Sequence, residues 1–327
     1  MVDLSTEYMG LKLRNPLVVG SSSLVKSAKD IKKWQDAGVG AVVMKSLFEE
    51  QIRMEAGDVF DKAGGDRHTE GYDYIMNTKM EFGSNEYLKI VEEGKKIAHI
   101  PVIASVNCST PKGWTGYAIS LQDAGADALE LNISVMPTNP LITSEDVEER
   151  VLSIVSKVVS KISIPVAVKI GPNFSAPAKL VRDIVWRGAK ALVLFNRFYQ
   201  FDIDTDHMRI KPGHSLSSSV EICQALRWIA ILSGRLNTSL AASTGIHTSK
   251  DVLKALLAGA DVAQLCSTLY MNGVSVIPQI LDGITAFMKE NEFNTLSAFR
   301  GILSQQYSEQ PESYERLQYI KTLVGIE

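Results

Sequence analysis

The stretch DAGADALELNIS, residues 123–134, decides the fold. Gly125 suits the left-handed cap that closes a helix. A short turn follows, and then Leu129, Leu131 and Ile133 alternate with Glu130, Asn132 and Ser134. This is a buried strand whose polar side chains gather where it leaves its sheet. The same beat recurs as DAGVGAVVMKS (36–46), RGAKALVLFN (187–196) and AGADVAQLCS (258–267). Those apolar runs are too continuous for a sheet with one wet face, so a parallel sheet covered on both sides is expected. Every such unit together places strands at 16–21, 41–46, 101–106, 128–134, 165–170, 191–196, 238–243 and 262–267. Helical patterns separate them, such as SEDVEERVLSIVSKVVSKI (144–162), read as starting at Ser144 with an acidic first turn. Eight strand–helix units argue for an α/β (β/α)8 barrel rather than an open doubly wound sheet. No G-x-G-x-x-G follows the first strand, and no phosphate-loop lysine motif occurs.

Composition agrees. The 327 residues are 45% hydrophobic and 22% charged, which suits a folded chain with a large core. One domain over 1–327 is expected, with the tail from about 294 packed on the barrel. A net charge of −3 gives no electrostatic case for nucleic acid. The basic run from Lys26 to Lys33 is broken by Asp30 and apolar residues and reads as a solvated helix face. The first sixteen residues lack a signal peptide's pattern, and no apolar stretch nears the ~20 residues of a membrane span. Cys108, Cys223 and Cys266 are scattered, which suits a reducing, cytoplasmic setting and cannot make an iron–sulfur site. No His and carboxylate spacing suggests a metal.

In a barrel the strand C-termini face the site. Here they read GSSS (20–23), KS (45–46), VNCS (106–109), NIS (132–134), KIG (169–171), FNR (195–197), STG (243–245) and CST (266–268). Thr244-Gly245 and Ser267-Thr268 lie where barrels hold a phosphate, although helix caps use the same residues. Lys169 ends an otherwise apolar strand and needs a compensating partner, with a bound anion or electron-rich ring favoured over a carboxylate. Lys45 repeats that pattern. Asn107, Asn132 and Asn196 offer the donors and acceptors that read the edge of a flat heterocycle. Two long connections, 47–85 and 197–216, should build or cover this face.

Taken in order, Asn15-Pro16 with Gly20-Ser21-Ser22, Lys45-Ser46, Val106-Asn107, Leu131-Asn132-Ile133-Ser134, Val166-Ala167-Val168-Lys169, Phe195-Asn196, Ser243-Thr244-Gly245-Ile246 and Ser267-Thr268 resemble the dihydroorotate dehydrogenase family. The resemblance runs to about residue 305, and NTLSAFRG (294–301) is similar to that family's C-terminal helix. Its soluble class 1 branch is the better match, since no membrane-associating extension precedes the barrel. The resemblance implies FMN, held at the ring and ribityl chain by Gly20, Ser21, Lys45, Ser46, Asn107, Asn132 and Lys169. Ser218, Thr244, Gly245, Ser267 and Thr268 would hold the phosphate. It further implies a dihydropyrimidine-like substrate, dihydroorotate above all, oxidised to orotate in pyrimidine biosynthesis. Lys45, Asn77, Asn132, Asn196 and Arg197 would touch it. A homodimer is also implied, while the electron acceptor stays open between fumarate, a quinone and a separate electron-transfer partner subunit.

One position departs from the family. Where its members carry Cys or Ser as the base after NIS, this chain has Val135, followed by Met136-Pro137. Valine cannot move a proton. Cys108 is then the first substitute among side chains, with Lys45 and Asn132 beside it and His68, His207 and His214 in the long loops. His99 and His247 read as helix-end residues. Ser217 and Ser218 stand where the family has a Gly-rich turn, and Thr244 where it often has Gly. Three readings stay open: a dihydroorotate dehydrogenase-like flavoenzyme, a flavoprotein relative with another alkene substrate or lost catalysis, and a barrel lyase using Lys169 as a Schiff-base nucleophile. A tRNA-acting dihydrouridine synthase fits poorly without a basic face.

Overall fold

A computed structural model describes residues 2–50, 85–198, 200–213 and 216–316. The chain opens with a hairpin of β1 (Thr6–Tyr8) and β2 (Leu11–Leu13) and then enters the barrel at β3 (Leu17–Val19). Helix α1 (Ala28–Ala37), β4 (Ala41–Val43) and the short β5 (Leu47–Phe48) follow, and residues 85–97 form helix α2. Next come β6 (Val102–Asn107), α3 (Pro111–Asp123), β7 (Ala128–Ile133), α4 (Ser144–Val159), β8 (Val166–Ile170), α5 (Pro177–Trp186) and β9 (Ala191–Leu194). A second hairpin, β10 (Phe201–Asp204) and β11 (Arg209–Pro212), precedes α6 (Ile222–Leu232), β12 (Ser239–Ser243), α7 (Ser249–Ala258), β13 (Val262–Leu265), α8 (Ser267–Asn272) and α9 (Val276–Glu290).

All eight strands expected from the sequence are present, and all are parallel. They pair in the order β3, β4, β6, β7, β8, β9, β12, β13 and back to β3, which closes the (β/α)8 barrel. β5 extends the second barrel strand and pairs farther along β6. The glycines of the repeated beat, Gly38, Gly125, Gly188 and Gly259, have φ of 108°, 90°, 99° and 115°. They are the left-handed turns that fold each helix back onto the next strand. Helix α4 starts at Ser144 as expected, and its cap lies one residue earlier: Thr143, in a reciprocal box with Asp146.

Alternation along the strands sorts side chains into two cores. Leu129, Leu131 and Ile133 of β7 face the helices and are fully buried. Each such side chain contributes about 1.5–3 kcal/mol relative to staying exposed. Inside the barrel, Val18, Ile103, Ala128, Ala167 and Val193 form a smaller cluster, closed at the N-terminal end by Tyr8, Met9 and Leu13 of the first hairpin. Toward the C-terminal end the inner face turns polar. The segment after α9 packs on the barrel's outside, where the rings of Phe287, Phe293 and Phe299 meet with centroids 5.2–6.3 Å apart. Among the described residues no helix is long and apolar enough to cross a membrane.

Candidate active site

At the C-terminal mouth, the inner-facing residues of neighbouring strands join in one chain of hydrogen bonds. The Ser46 hydroxyl lies 2.9 Å from that of Ser21 and 2.8 Å from that of Ser105. Asn132 donates its amide to the Ser46 hydroxyl at 3.4 Å, and Asn196 donates to the Asn132 carbonyl oxygen at 2.8 Å. Five barrel strands, β3, β4, β6, β7 and β9, thereby present hydroxyls and amides at the mouth, and alternation accounts for two of them: Ser105 with Asn107, and Glu130 with Asn132, share the inner face of their strands. Asn107 ends β6 on that face, and Gly20 closes β3 beside Gln264. Lys45 follows β4 at the rim, half-buried.

Lys169 sits next to Asn132 in the β7–β8 register and is almost fully buried. Among the described residues its partner is a carboxylate from below, Glu130. Glu130 brings Oε1 to 3.9 Å from Lys169 Nζ and accepts from Gln264 Nε2 at 2.7 Å, while Lys169 donates to Gln264 Oε1 at 3.4 Å. Sequence reading passed over Glu130 and Gln264. The signal was there: each stands two residues before a mouth position and so faces inward with it.

The opposite side of the mouth is a cradle between β12, β13 and the start of α6. Gly245 has φ of 76° and donates its N–H to the Ser217 hydroxyl at 3.3 Å. That hydroxyl also meets Ser267 Oγ at 3.0 Å and His247 Nε2 at 3.1 Å. Any Cβ on Gly245 would lie 2.3 Å from the backbone nitrogen of Ile222. Thr244 also has a left-handed φ of 76°, held by its hydroxyl's bond to the Phe195 carbonyl at 3.1 Å. Asp251, at the start of α7, ties the cradle down by accepting from His247 N, Thr248 N and the Ser219 hydroxyl. Burial acts to raise the Asp251 carboxyl, but its Thr248, His247 and Ser219 donors hold it below the usual carboxylate range.

Several expected residues stand elsewhere. Ser218 is exposed and belongs to the cap of the turn before α6, so Ser217 takes its place in the cradle. The Thr268 hydroxyl is spent inside the fold, donating to the His247 carbonyl and accepting from Asn272. Cys108 falls on the outward face of β6, one step past inward Asn107, and lies in the outer core. Burial, then the charges of Glu49 and Glu50, push its thiol well above its ordinary value, which disfavours the thiolate a base would need. Arg197 is bonded to Glu221 at 2.7 Å. It lines, with Asn173, Phe195, Asn196 and Thr244, a cavity of about 460 Å3 that opens off the mouth. A larger cavity of about 800 Å3 lies outside the barrel, between α6, α7 and residues 303–314, away from the strand ends. His207 is exposed on the second hairpin and paired with Asp204. Asn77, His68 and His214 lie outside the described residues. Among the described residues no cluster of three metal-ligating side chains forms. Val135 is half-buried and packs on the outer core, whereas Ser134 and Met136 beside it are exposed.

The sequence pattern of the dihydroorotate dehydrogenase family matches residues 3–288. The chain belongs to that family. It is 26% identical to the catalytic subunit of dihydroorotate dehydrogenase B (NAD(+)) of Thermoplasma acidophilum, over 92% of this chain and 99% of that one. It is 27% identical to the putative dihydroorotate dehydrogenase A (fumarate) of Aeropyrum pernix, over 91% and 97%. It is 22% identical to the chloroplastic dihydropyrimidine dehydrogenase (NADP(+)) of Arabidopsis thaliana, over 96% and 80%. The protein is an oxidoreductase of the kind that acts on CH–CH groups.

Proposed function

We propose that this protein binds FMN across the barrel mouth and uses it on a C–C bond of a small dihydropyrimidine-like substrate, dihydroorotate being the first to test. The observation that carries this reading is the joined set Ser21, Ser46, Ser105, Asn132 and Asn196 directly beside buried Lys169. That edge of donors and acceptors fits a flat heterocycle, and Lys169 fits a ring that becomes negative on reduction. The cradle of Gly245, Ser217, Ser267 and His247 is suited to a phosphate, with N–H and O–H donors converging on one point. FMN, when bound, supplies hydride acceptance and donation.

The chain's own residues would do the rest. Asn132 and Asn196 orient the substrate through amide groups already bonded to each other, with Lys45 at the rim. Arg197, held by Glu221 beside Asn196, bounds the pocket for the substrate's far end. Val135 leaves the family's proton-handling position without a titratable group. Removal of the substrate proton by a positioned base typically contributes ~10² to 10⁴ in rate, so dihydroorotate would bind and be oxidised slowly. This favours, as second reading, a relative whose natural substrate is another alkene. A Schiff-base lyase is disfavoured, because Glu130 at 3.9 Å is the wrong neighbour for an amine whose lone pair has to be free. The names of the relatives as catalytic subunits favour a separate electron-carrying partner.

An anaerobic titration of the purified protein tests the reading. A flavin spectrum at one FMN per chain that bleaches slowly with dihydroorotate is expected. A protein that takes up no flavin on reconstitution defeats it.

A further inference from the structure

Beneath the proposed ring site, three inner-facing side chains from β7, β8 and β13 close on one another with no other charge between them. Glu130 is fully buried, and its Oε2 is taken by Gln264 at 2.7 Å. Its Oε1 has no hydrogen bond among the described residues and faces Lys169 Nζ at 3.9 Å. The carboxylate is felt below as well. Tyr8 OH, buried without a hydrogen bond among the described residues, has its phenol pushed up first by burial and then by the charge of Glu130. Strand alternation makes this a stack: Glu130 lies one inward step beneath Asn132, and Asn132 is level with Lys169. Lys169 therefore stands between the mouth and Glu130.

From this stack we propose that Glu130 is a positioning residue that offsets the charge Lys169 presents to a bound flavin and so lowers that flavin's reduction potential. The proposal rests on the FMN reading above. A flavin that has taken up two electrons and one proton carries one negative charge, which a cation beneath the ring stabilises. The Glu130 carboxylate and the Lys169 ammonium sum to zero and act on the ring site as a dipole. With an amide in place of the carboxylate the floor would carry a net positive charge, and the reduced ring would gain more. Gln264 keeps the two charges apart, bonding the carboxylate with its amide N–H and the ammonium with its carbonyl. A merely structural pair would change melting on mutation and leave the potential alone.

The test uses the flavin-loaded protein and two readings: reduction potential by dye equilibration, and affinity for sulfite, which adds at the flavin and leaves negative charge on the ring. Glu130→Gln keeps volume and can still bond Gln264. It should raise the potential and tighten sulfite binding by about tenfold or more, as expected for removal of one buried charge beneath the site. Lys169→Met should move both readings the other way. The double variant restores a neutral floor and should return between the two singles. If Glu130→Gln alone fails to fold, the double variant carries the test and must lie above Lys169→Met; equal values overturn the proposal. Wild-type values in a flavin-loaded Glu130→Gln overturn it too, and leave the FMN reading standing. A wild-type chain that takes up no flavin overturns both.

Discussion

Strand β7 is buried along its whole length and sets Glu130 and Asn132 on the barrel's inner face, whereas the loop over 134–142 that follows it is exposed except at half-buried Val135. The two are consecutive in sequence and differ in what fixes them. Asn132 cannot turn without turning Leu131 and Ile133 out of the outer core, because the strand's period is two. Nothing comparable holds the loop, whose Met136, Leu141 and Ile142 are exposed. The positions proposed to grip a ring are set by barrel geometry, and the position where the family carries its base lies just past it. A family member can therefore keep the first and lose the second at little structural cost.

The cradle at β12 belongs with β7 in this comparison, and a substitution there should have the largest effect. Gly245→Val places a Cβ 2.3 Å from Ile222 N and 2.8 Å from Glu221 C, at a φ of 76°. Left-handed backbone alone costs a non-glycine residue about 1–2 kcal/mol. The clash with backbone adds to it. The expected outcome is a lower melting temperature together with loss of bound flavin, read by absorbance. Full flavin and wild-type melting would place the cradle on the permissive side, with the loop.

Val135→Cys sharpens the comparison from the loop side. It returns a thiol to the family's base position with a small change in volume. Because Val135 packs on the outer core, the gain should fall short of a fully positioned base. An increase of about 10- to 100-fold in flavin reduction by dihydroorotate is expected, within the ordinary reach of general base catalysis. It should be largest at alkaline pH, where thiolate accumulates. Stopped-flow reduction under nitrogen reads it. Wild-type rates already normal for a base-containing enzyme would show that the proton leaves by another route.

Asp251 gives a smaller effect with a defined sign. Its carboxyl sits below its usual range because the Thr248, His247 and Ser219 donors outweigh burial. A lowered folded pKa contributes stability that is present above the unfolded value and lost as pH falls through the folded one. Asp251→Asn should cost about 1 kcal/mol at neutral pH, the usual size of a lost helix cap. The gap between the two proteins, read by denaturant melts, should close below about pH 4, where the wild-type carboxyl also begins to protonate. A gap that widens in acid would assign the pH dependence to another group.

How much of this was legible in the sequence follows from the same contrast. Strand positions were readable because the glycine-ended helices and apolar runs repeat, and with them came Ser21, Ser46, Asn132, Lys169 and Asn196 at the mouth. The hydroxyls of Ser218 and Thr268 are engaged in caps and bonds within the fold, because a hydroxyl at a helix start caps or binds with the same sequence signature. Lys169 was expected to look outward for its counter-charge, and Glu130 was overlooked because it reads as an interruption of an apolar run. Ser217 and His247 lie after the neighbouring barrel strands β9 and β12 and are thirty residues apart in sequence. No local pattern carries that.

The smallest expected effect concerns Cys108, and it tests whether inward and outward faces divide as sharply on β6 as on β7. Asn107 ends β6 at the mouth, and Cys108 turns into the outer core, where it is 6% exposed. Its thiol is pushed up by burial and by the nearby carboxylates, which disfavours thiolate in the range in which a base would act. Cys108→Ala removes one buried sulfur and should cost about 1 kcal/mol of stability. Flavin reduction by dihydroorotate and its pH profile should stay within about twofold of wild type, far below the 10² that loss of a general base brings. A fall of that larger size would mean that β6 turns Cys108 toward the mouth when substrate binds. The proton route would then run through the third barrel strand, and the empty position after β7 would be a relocation rather than a loss.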